Sequence, residues 1–174
     1  MLRQWHEGDR DAYVSIRTDP HVGVYIPGHP MTSEMANEWF DRTLERGSEP
    51  SDGIMTAIIR RDTAQIAGTA GIFMRSIEHR QAELGYILLP SHGGQGFATE
   101  AAAALLDAAF EDLGSFRVFA ELDPRNAPSA RVCERLGMRL EGHLVGTYLE
   151  DDVASDSYVY AILESEWREQ RRSR

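Results

Sequence analysis

Residues 84–110 read LGYILLPSHGGQGFATEAAAALLDAAF, and this stretch decides the fold. The apolar run Leu84–Leu89, bounded by turn residues, has the length of a buried strand. The run Ala101–Phe110 is built of alanine and leucine, which favour helix. Between them stands Pro90-Ser91-His92-Gly93-Gly94-Gln95-Gly96-Phe97-Ala98-Thr99-Glu100. Its glycines let the backbone turn sharply and approach a ligand closely. Its amides then open a helix, where unpaired N–H groups and the helix dipole favour an anion. Strand, glycine-rich turn and helix together predict a phosphate cradle.

Three kinds of cradle have this outline. A P-loop needs G-x-x-x-x-G-K-[ST], and the chain has no lysine: all 18 basic residues are arginine. A dinucleotide fingerprint needs G-x-G-x-x-G/A. Aligning Gly94 and Gly96 with its first two glycines puts Thr99 where Gly or Ala is required, and no repeated βαβ halves surround the motif.

The third kind fits. Gly93-Gly94-Gln95-Gly96-Phe97-Ala98 resembles the acetyl-CoA loop of the GNAT superfamily of N-acetyltransferases, Q/R-x-x-G-x-G/A. Upstream, Ala82–Pro90 resembles that family's fourth strand. Downstream, Asp123-Pro124-Arg125-Asn126-Ala127-Pro128-Ser129-Ala130-Arg131-Val132-Cys133-Glu134-Arg135-Leu136-Gly137-Met138 resembles the end of its fifth strand and the helix after it. Leu140-Glu141-Gly142 matches the L-E-G of the ribosomal-protein N-terminal acetyltransferase branch. Leu2-Arg3-Gln4-Trp5 and Asp19-Pro20-His21-Val22 also look like that branch, so the resemblance spans nearly the whole chain. Two positions depart from it. Gly93 occupies the Q/R position, and Cys133 falls where many of these enzymes carry a tyrosine general acid.

The resemblance implies an α/β fold: a mixed, mostly antiparallel sheet with a splayed parallel central strand pair and helices on both faces. At 174 residues the chain is long enough for a sizeable core, and one domain over residues 1–174 is expected. No apolar run approaches the ~20 residues that span a bilayer, and the first residues carry no secretory apolar segment, so a cytoplasmic protein without membrane contact is expected. The single cysteine excludes an internal disulfide. No H-x-x-x-H or C-x-x-C pair is present, so no metal is expected. A net charge of −10 argues against a nucleic-acid partner and is compatible with a cationic amine, or with solubility alone.

Along the chain, Asp9–Arg17 reads as a helix ended by Asp19-Pro20, because the residue before proline resists the helical conformation. Thr32 or Ser33 caps a second helix through Glu45, with Met35, Trp39 and Phe40 on its apolar face. Gly47–Gly53 reads as a turn. Strands are predicted over Ile54–Arg60 and from Gln65 to Ile72 or beyond, joined at Asp62-Thr63. The strand through Leu89 leads to a helix over Ala98–Leu113, stopped by Gly114. Phe116–Leu122 is the next strand, Ala127–Leu136 the next helix, and Arg139–Leu149 and Ser157–Leu163 are closing strands around an acidic loop. Arg168, Arg171, Arg172 and Arg174 read as a solvated helix end.

The resemblance assigns roles residue by residue. It implies acetyl-CoA as cosubstrate, its pyrophosphate held by backbone amides of Gly93, Gly94, Gln95, Gly96, Phe97, Ala98 and Thr99. Ile87, with its neighbour Leu88, is expected to offer a free strand amide that polarises the thioester carbonyl. Asn126 is a helix cap and, by resemblance, a hydrogen-bond partner of the pantetheine arm. Ser129 is either the proton donor to the departing thiolate or a small residue that admits the cofactor. Cys133, one turn on, reads as a buried hydrophobe. Glu83 is the expected general base, with Glu141 its rival. Tyr25, His29, Trp39, Tyr148 and Glu150-Asp151-Asp152 would rim the acceptor side, with Trp39 read as core and the acidic group as a solvated turn. The expected partner is a primary amine, either a protein N-terminus or a small molecule. Dimers are common in that branch, so a homodimer is compatible with the chain, although no pattern marks a dimer surface. The competing function is a non-catalytic acyl-CoA sensor or assembly module, suggested by the missing tyrosine at Cys133.

Overall fold

The computed structural model describes residues 1–46 and 53–172. Its elements are β1 (Leu2–Gln4), α1 (Arg10–Thr18), α2 (Ser33–Arg46), β2 (Gly53–Ile59), β3 (Ile66–Ser76), β4 (Gln81–Leu88), α3 (Phe97–Glu111), β5 (Arg117–Leu122), α4 (Ala127–Arg135), β6 (Arg139–Glu150), β7 (Val153–Leu163) and α5 (Glu164–Arg172). The strands form one seven-stranded sheet in the order β1-β2-β3-β4-β5-β7-β6. Every neighbouring pair is antiparallel except β4–β5. This is the expected mixed α/β sheet.

The sheet parts its helices between two faces by strict alternation along the strands. Ala82, Leu84, Tyr86 and Leu88 of β4 pack into a core with Ala98, Ala102, Leu105, Leu106 and Phe110 of α3, Val132 and Cys133 of α4, and Trp167 of α5. Ile87 points the other way. It joins Tyr13 and Ile16 of α1, Phe40 of α2 and Trp5 in a second core. Alanines at 98, 101, 102 and 109 are buried, which lets α3 lie close on its strands.

Several boundaries differ from the sequence reading for local reasons. β1 is too short to show an alternating pattern, and it exists because Leu2 and Arg3 pair with Ile58 and Ala57. The buried stripe of α2 is Ala36, Phe40 and Thr43, whereas Met35 is exposed. The loop expected between the closing strands is reduced to Asp151-Asp152, both at positive φ (47° and 61°), so β7 begins at Val153. Two left-handed residues make the tight turn that matches strand twist. Arg168, Arg171 and Arg172 belong to α5, where Trp167 is buried and donates from Nε1 to Asp107 at 3.0 Å, and Arg171 pairs with the same carboxylate; Arg174 lies outside the described residues. Of the turn expected over Gly47–Gly53, residues 47–52 lie outside the described residues, and Gly53 opens β2.

The feature that positions the site is the parallel pair. β4 and β5 are hydrogen-bonded only where Gln81–Glu83 face Arg117–Phe119. Beyond that point β4 continues to Leu88 and β5 to Leu122 without pairing to each other. The gap between them opens through the sheet.

Candidate active site

The gap widens into a cleft of about 1400 Å³ that runs from the glycine turn, between the splayed strands, to the α1–α2 side. Its lining joins Glu83, Ile87, Leu88, Gly93, Gly94, Gly96, Ala98, Thr99, Asn126 and Ser129, so most of the expected site residues share one space. Gln95 and Phe97 have side chains directed elsewhere. Gln95 donates from its amide to the Ser91 carbonyl at 3.1 Å, and Phe97 packs edge-on against His92.

At one end, Gly94 and Gly96 adopt φ of 72° and 85°, conformations that disfavour a side-chain-bearing residue. Gly96 is the N-cap of α3 and supplies no side chain to cap it. The amides of Phe97, Ala98 and Thr99 therefore have no carbonyl partner within the helix. Arg135 of α4 borders the same end, where its Nη1 donates to Thr99 Oγ1 at 3.1 Å, and Arg131, one turn earlier, also lines the cleft. An uncapped helix terminus with a guanidinium group beside it fits a diphosphate. No local pattern marks Arg135 for this role, because only the fold brings α4 beside the turn.

At the middle of the cleft, Tyr86 Oη lies 2.7 Å from Ser129 Oγ. Burial pushes the Tyr86 phenol well above its ordinary pKa, so it stays protonated and available as a donor. Asn126 caps α4 by accepting the Ser129 N–H through Oδ1 at 3.2 Å, and the residue lines the cleft. Cys133 is fully buried and does not border the cleft, and burial pushes its thiol up to about 12. It is a core residue.

The strand ladder shifts one expectation. The Leu89 N–H donates to the Ala67 carbonyl, and β3 and β4 are in register with Thr69 opposite Ile87 and Gly68 opposite Leu88. Directly opposed antiparallel residues alternate between bonded and non-bonded pairs. The Ile87 amide is thus turned toward Thr69, while the amides of Tyr86 and Leu88 face the unpaired side. The free strand amide next to the cleft is that of Leu88 rather than Ile87.

On the α1–α2 side, Glu83 accepts from Arg75 Nε at 2.6 Å and is about three-quarters buried. Glu121 of β5 shares this space, and its Oε1 is buried without a hydrogen-bond partner among the described residues. Burial, then the charge of Glu121 and its hydrogen bond with the phenol, then the charge of Glu83, raises the pKa of Tyr148. Trp39 is half-buried and borders the cleft as well as the core. Glu150 reaches across to accept the Gly28 N–H, joining the turn of the β6–β7 hairpin to the α1–α2 loop, and Arg125 stacks 6.0 Å from the Tyr25 ring centroid. Glu141 stands apart. It accepts from Arg117 and Arg139, each at 2.6 Å, which lowers its pKa, Arg117 contributing most. It ties β5 to β6 and does not border the cleft.

Among the described residues no group of His, Cys, Asp and Glu is placed to hold a metal ion, and no helix is long and apolar enough to cross a membrane.

Residues 1–139 match the family profile described as Acetyltransferase (GNAT) domain, and the chain belongs to that family. Its enzyme class is N-acetyltransferase. The chain is 30% identical over 167 residues to the uncharacterized N-acetyltransferase YnaD of Bacillus subtilis (strain 168), covering 96% of this chain and 95% of that protein. It is 29% identical over 115 residues to the spermidine N(1)-acetyltransferase of Escherichia coli (strain K12), covering 62% of each. Among solved structures, a GNAT-family acetyltransferase from Bacillus anthracis superposes with a TM-score of 0.83 at 27% identity, over 95% of both chains. A spermidine N-acetyltransferase from Vibrio cholerae, solved with CoA and spermine, superposes with a TM-score of 0.84 at 21% identity, over 97% of both chains, a likeness of fold.

Proposed function

We propose that this N-acetyltransferase uses acetyl-CoA and transfers the acetyl group to a primary amine by direct attack, without an acyl-enzyme. The observation that carries this reading is the unpaired gap between β4 and β5, with an uncapped, arginine-flanked helix terminus at one end and carboxylates at the other. Acetyl-CoA supplies the activated acetyl group as a thioester. The chain binds its diphosphate on the Gly94–Thr99 amides with Arg135, and Asn126 contacts its arm. The Leu88 N–H points into the gap, where it polarises a carbonyl. The acceptor enters from the α1–α2 side. Its nitrogen forms the C–N bond as the C–S bond breaks. The carboxylate of Glu83 or Glu121 takes the ammonium proton, directly or through water, and the Tyr86–Ser129 pair delivers a proton to the leaving sulfur.

The spermidine N(1)-acetyltransferase relative of Escherichia coli supports a small-molecule amine as acceptor. A protein N-terminus is the second reading, carried by the ribosomal-branch motifs at Leu2–Trp5 and Leu140–Gly142. We take residues 1–174 as one domain and admit a homodimer without assigning its surface. The test of cofactor choice is thermal. Acetyl-CoA should raise the melting temperature by mass action, while NAD and ATP should do so far less. Equal stabilisation by NAD would overturn the assignment.

The two carboxylates are separable by pH. Glu83→Gln and Glu121→Gln both keep shape and remove a basic oxygen. The variant lacking the base should lose about 10²-fold or more in kcat/KM at neutral pH, with the deficit shrinking as pH rises and free amine accumulates. Raising ionic strength should leave that deficit intact, because a local proton transfer is not screened. Wild-type pH–rate behaviour in the Glu83 variant would remove Glu83 and leave Glu121.

A further inference from the structure

Arg17, in the last turn of α1, is only 8% exposed yet borders the cleft. Among the described residues its Nε has no hydrogen-bond partner and no carboxylate pairs with its guanidinium. The faces of Tyr13 and Trp39 lie 5.7 and 6.0 Å from it by ring centroid. Ring faces offset only part of the cost of burying an unpaired charge. The neighbouring His29 does not help. Burial, reinforced by the charge of Arg17, pushes it down to about 4, so it is neutral.

The other charges on this side decide what would complete the site. Glu83, whose side chain shares the α1–α2 face with that of Ile87, is engaged by Arg75. Glu121 interacts with the Tyr148 phenol, and among the described residues its buried Oε1 has no hydrogen-bond partner and its carboxylate no cation. The acceptor side thus holds one buried cation and one carboxylate, and among the described residues neither is in a salt bridge. A polyamine would match the carboxylate and meet Arg17 with like charge. A molecule with an ammonium and a carboxylate satisfies both, and a guanidinium is the side chain best shaped for a carboxylate. Resting on the N-acetyltransferase reading with the acceptor on the α1–α2 side, we propose that the acceptor is a small aminocarboxylate of the amino-acid type, held by its carboxylate on Arg17.

Matched acceptors test this, with free CoA release as the readout. Each pair is an amino acid and the amine left when its carboxylate is removed, for example ornithine against 1,4-diaminobutane and alanine against ethylamine. The wild-type enzyme should favour the carboxylate-bearing member by about tenfold or more in kcat/KM. Arg17→Met should erase that preference mainly through the acceptor KM, leaving the acetyl-CoA KM within about twofold. Arg17→Lys keeps the charge without the planar fork and should retain part of the preference. Equal or faster turnover of the decarboxylated amines by wild-type enzyme would overturn the proposal while leaving the enzymatic reading intact, and so would an Arg17→Met enzyme with the preference unchanged. If Arg17→Met does not fold, the wild-type pairs and Arg17→Lys decide alone. If acetyl-CoA still raises the melting temperature but no amine releases CoA, the enzymatic reading fails and this proposal falls with it.

Discussion

Gly96→Pro is expected to abolish productive acetyl-CoA binding, raising its KM about a hundredfold or more. Gly96 sits at φ 85° as the N-cap of α3. Proline requires φ near −65° and carries no N–H, so the substitution reverses the turn and deletes one amide of the cradle. A Cβ at this position meets nothing within 4 Å, so the defect is one of backbone direction rather than of collision inside the protein. Gly96→Asn separates the two causes. Asparagine tolerates the left-handed region better than other side chains, and this variant should keep most of the affinity. A Gly96→Pro enzyme that keeps its melting temperature and its acetyl-CoA KM would show that the turn does not hold the cosubstrate.

The second large effect is expected at the Tyr86–Ser129 pair. Tyr86→Phe removes the phenol that lies 2.7 Å from Ser129 Oγ, and kcat should fall by about 10²-fold or more with the acetyl-CoA KM little changed. Ser129→Ala should lower kcat in the same direction, and the double variant should be hardly worse than the worse single one, because the two hydroxyls deliver one proton. Burial keeps Tyr86 protonated, so activity should not decline on the alkaline side through its ionisation. Cys133→Ala should leave kcat close to wild type, since that thiol is buried in the core and away from the cleft. A Cys133 variant more damaged than Tyr86→Phe, with both folded, would return the donor role to the position where the family's tyrosine falls.

Part of the site is encoded locally in the chain and part only by the fold. The glycine turn, its preceding strand and its following helix were legible because each is local: alanine content, glycine punctuation and the bounded apolar run all lie within Leu84–Phe110. Asn126, Ser129 and Glu83 were found through family likeness, and the fold brings them to one cleft. The rest depends on register and long-range placement. Tyr86 meets Ser129 across 43 residues of sequence. Whether the Ile87 or the Leu88 amide is free is decided by which residues of β3 they face, a difference of one residue that no local pattern records. Glu121 and Arg17 look like ordinary surface charges in the sequence. Arg17 is buried beside the rings of Tyr13 and Trp39, and the Oε1 atom of Glu121 is buried, through long-range packing. Conversely, Glu141 has the motif of a site residue and the partners of a structural clamp.

The central claim is that the splayed strands form a site of acetyl transfer rather than a resting place for an acyl-CoA. The most direct measurement is free CoA released from acetyl-CoA by the intact enzyme against a panel of primary amines, with product mass as a check. CoA release that requires an amine and yields an acetylated amine, lost in Tyr86→Phe and Gly96→Pro, is the predicted result. Tight acetyl-CoA binding without amine-dependent release from any member of the panel would contradict it and mark the chain as an acyl-CoA-binding module.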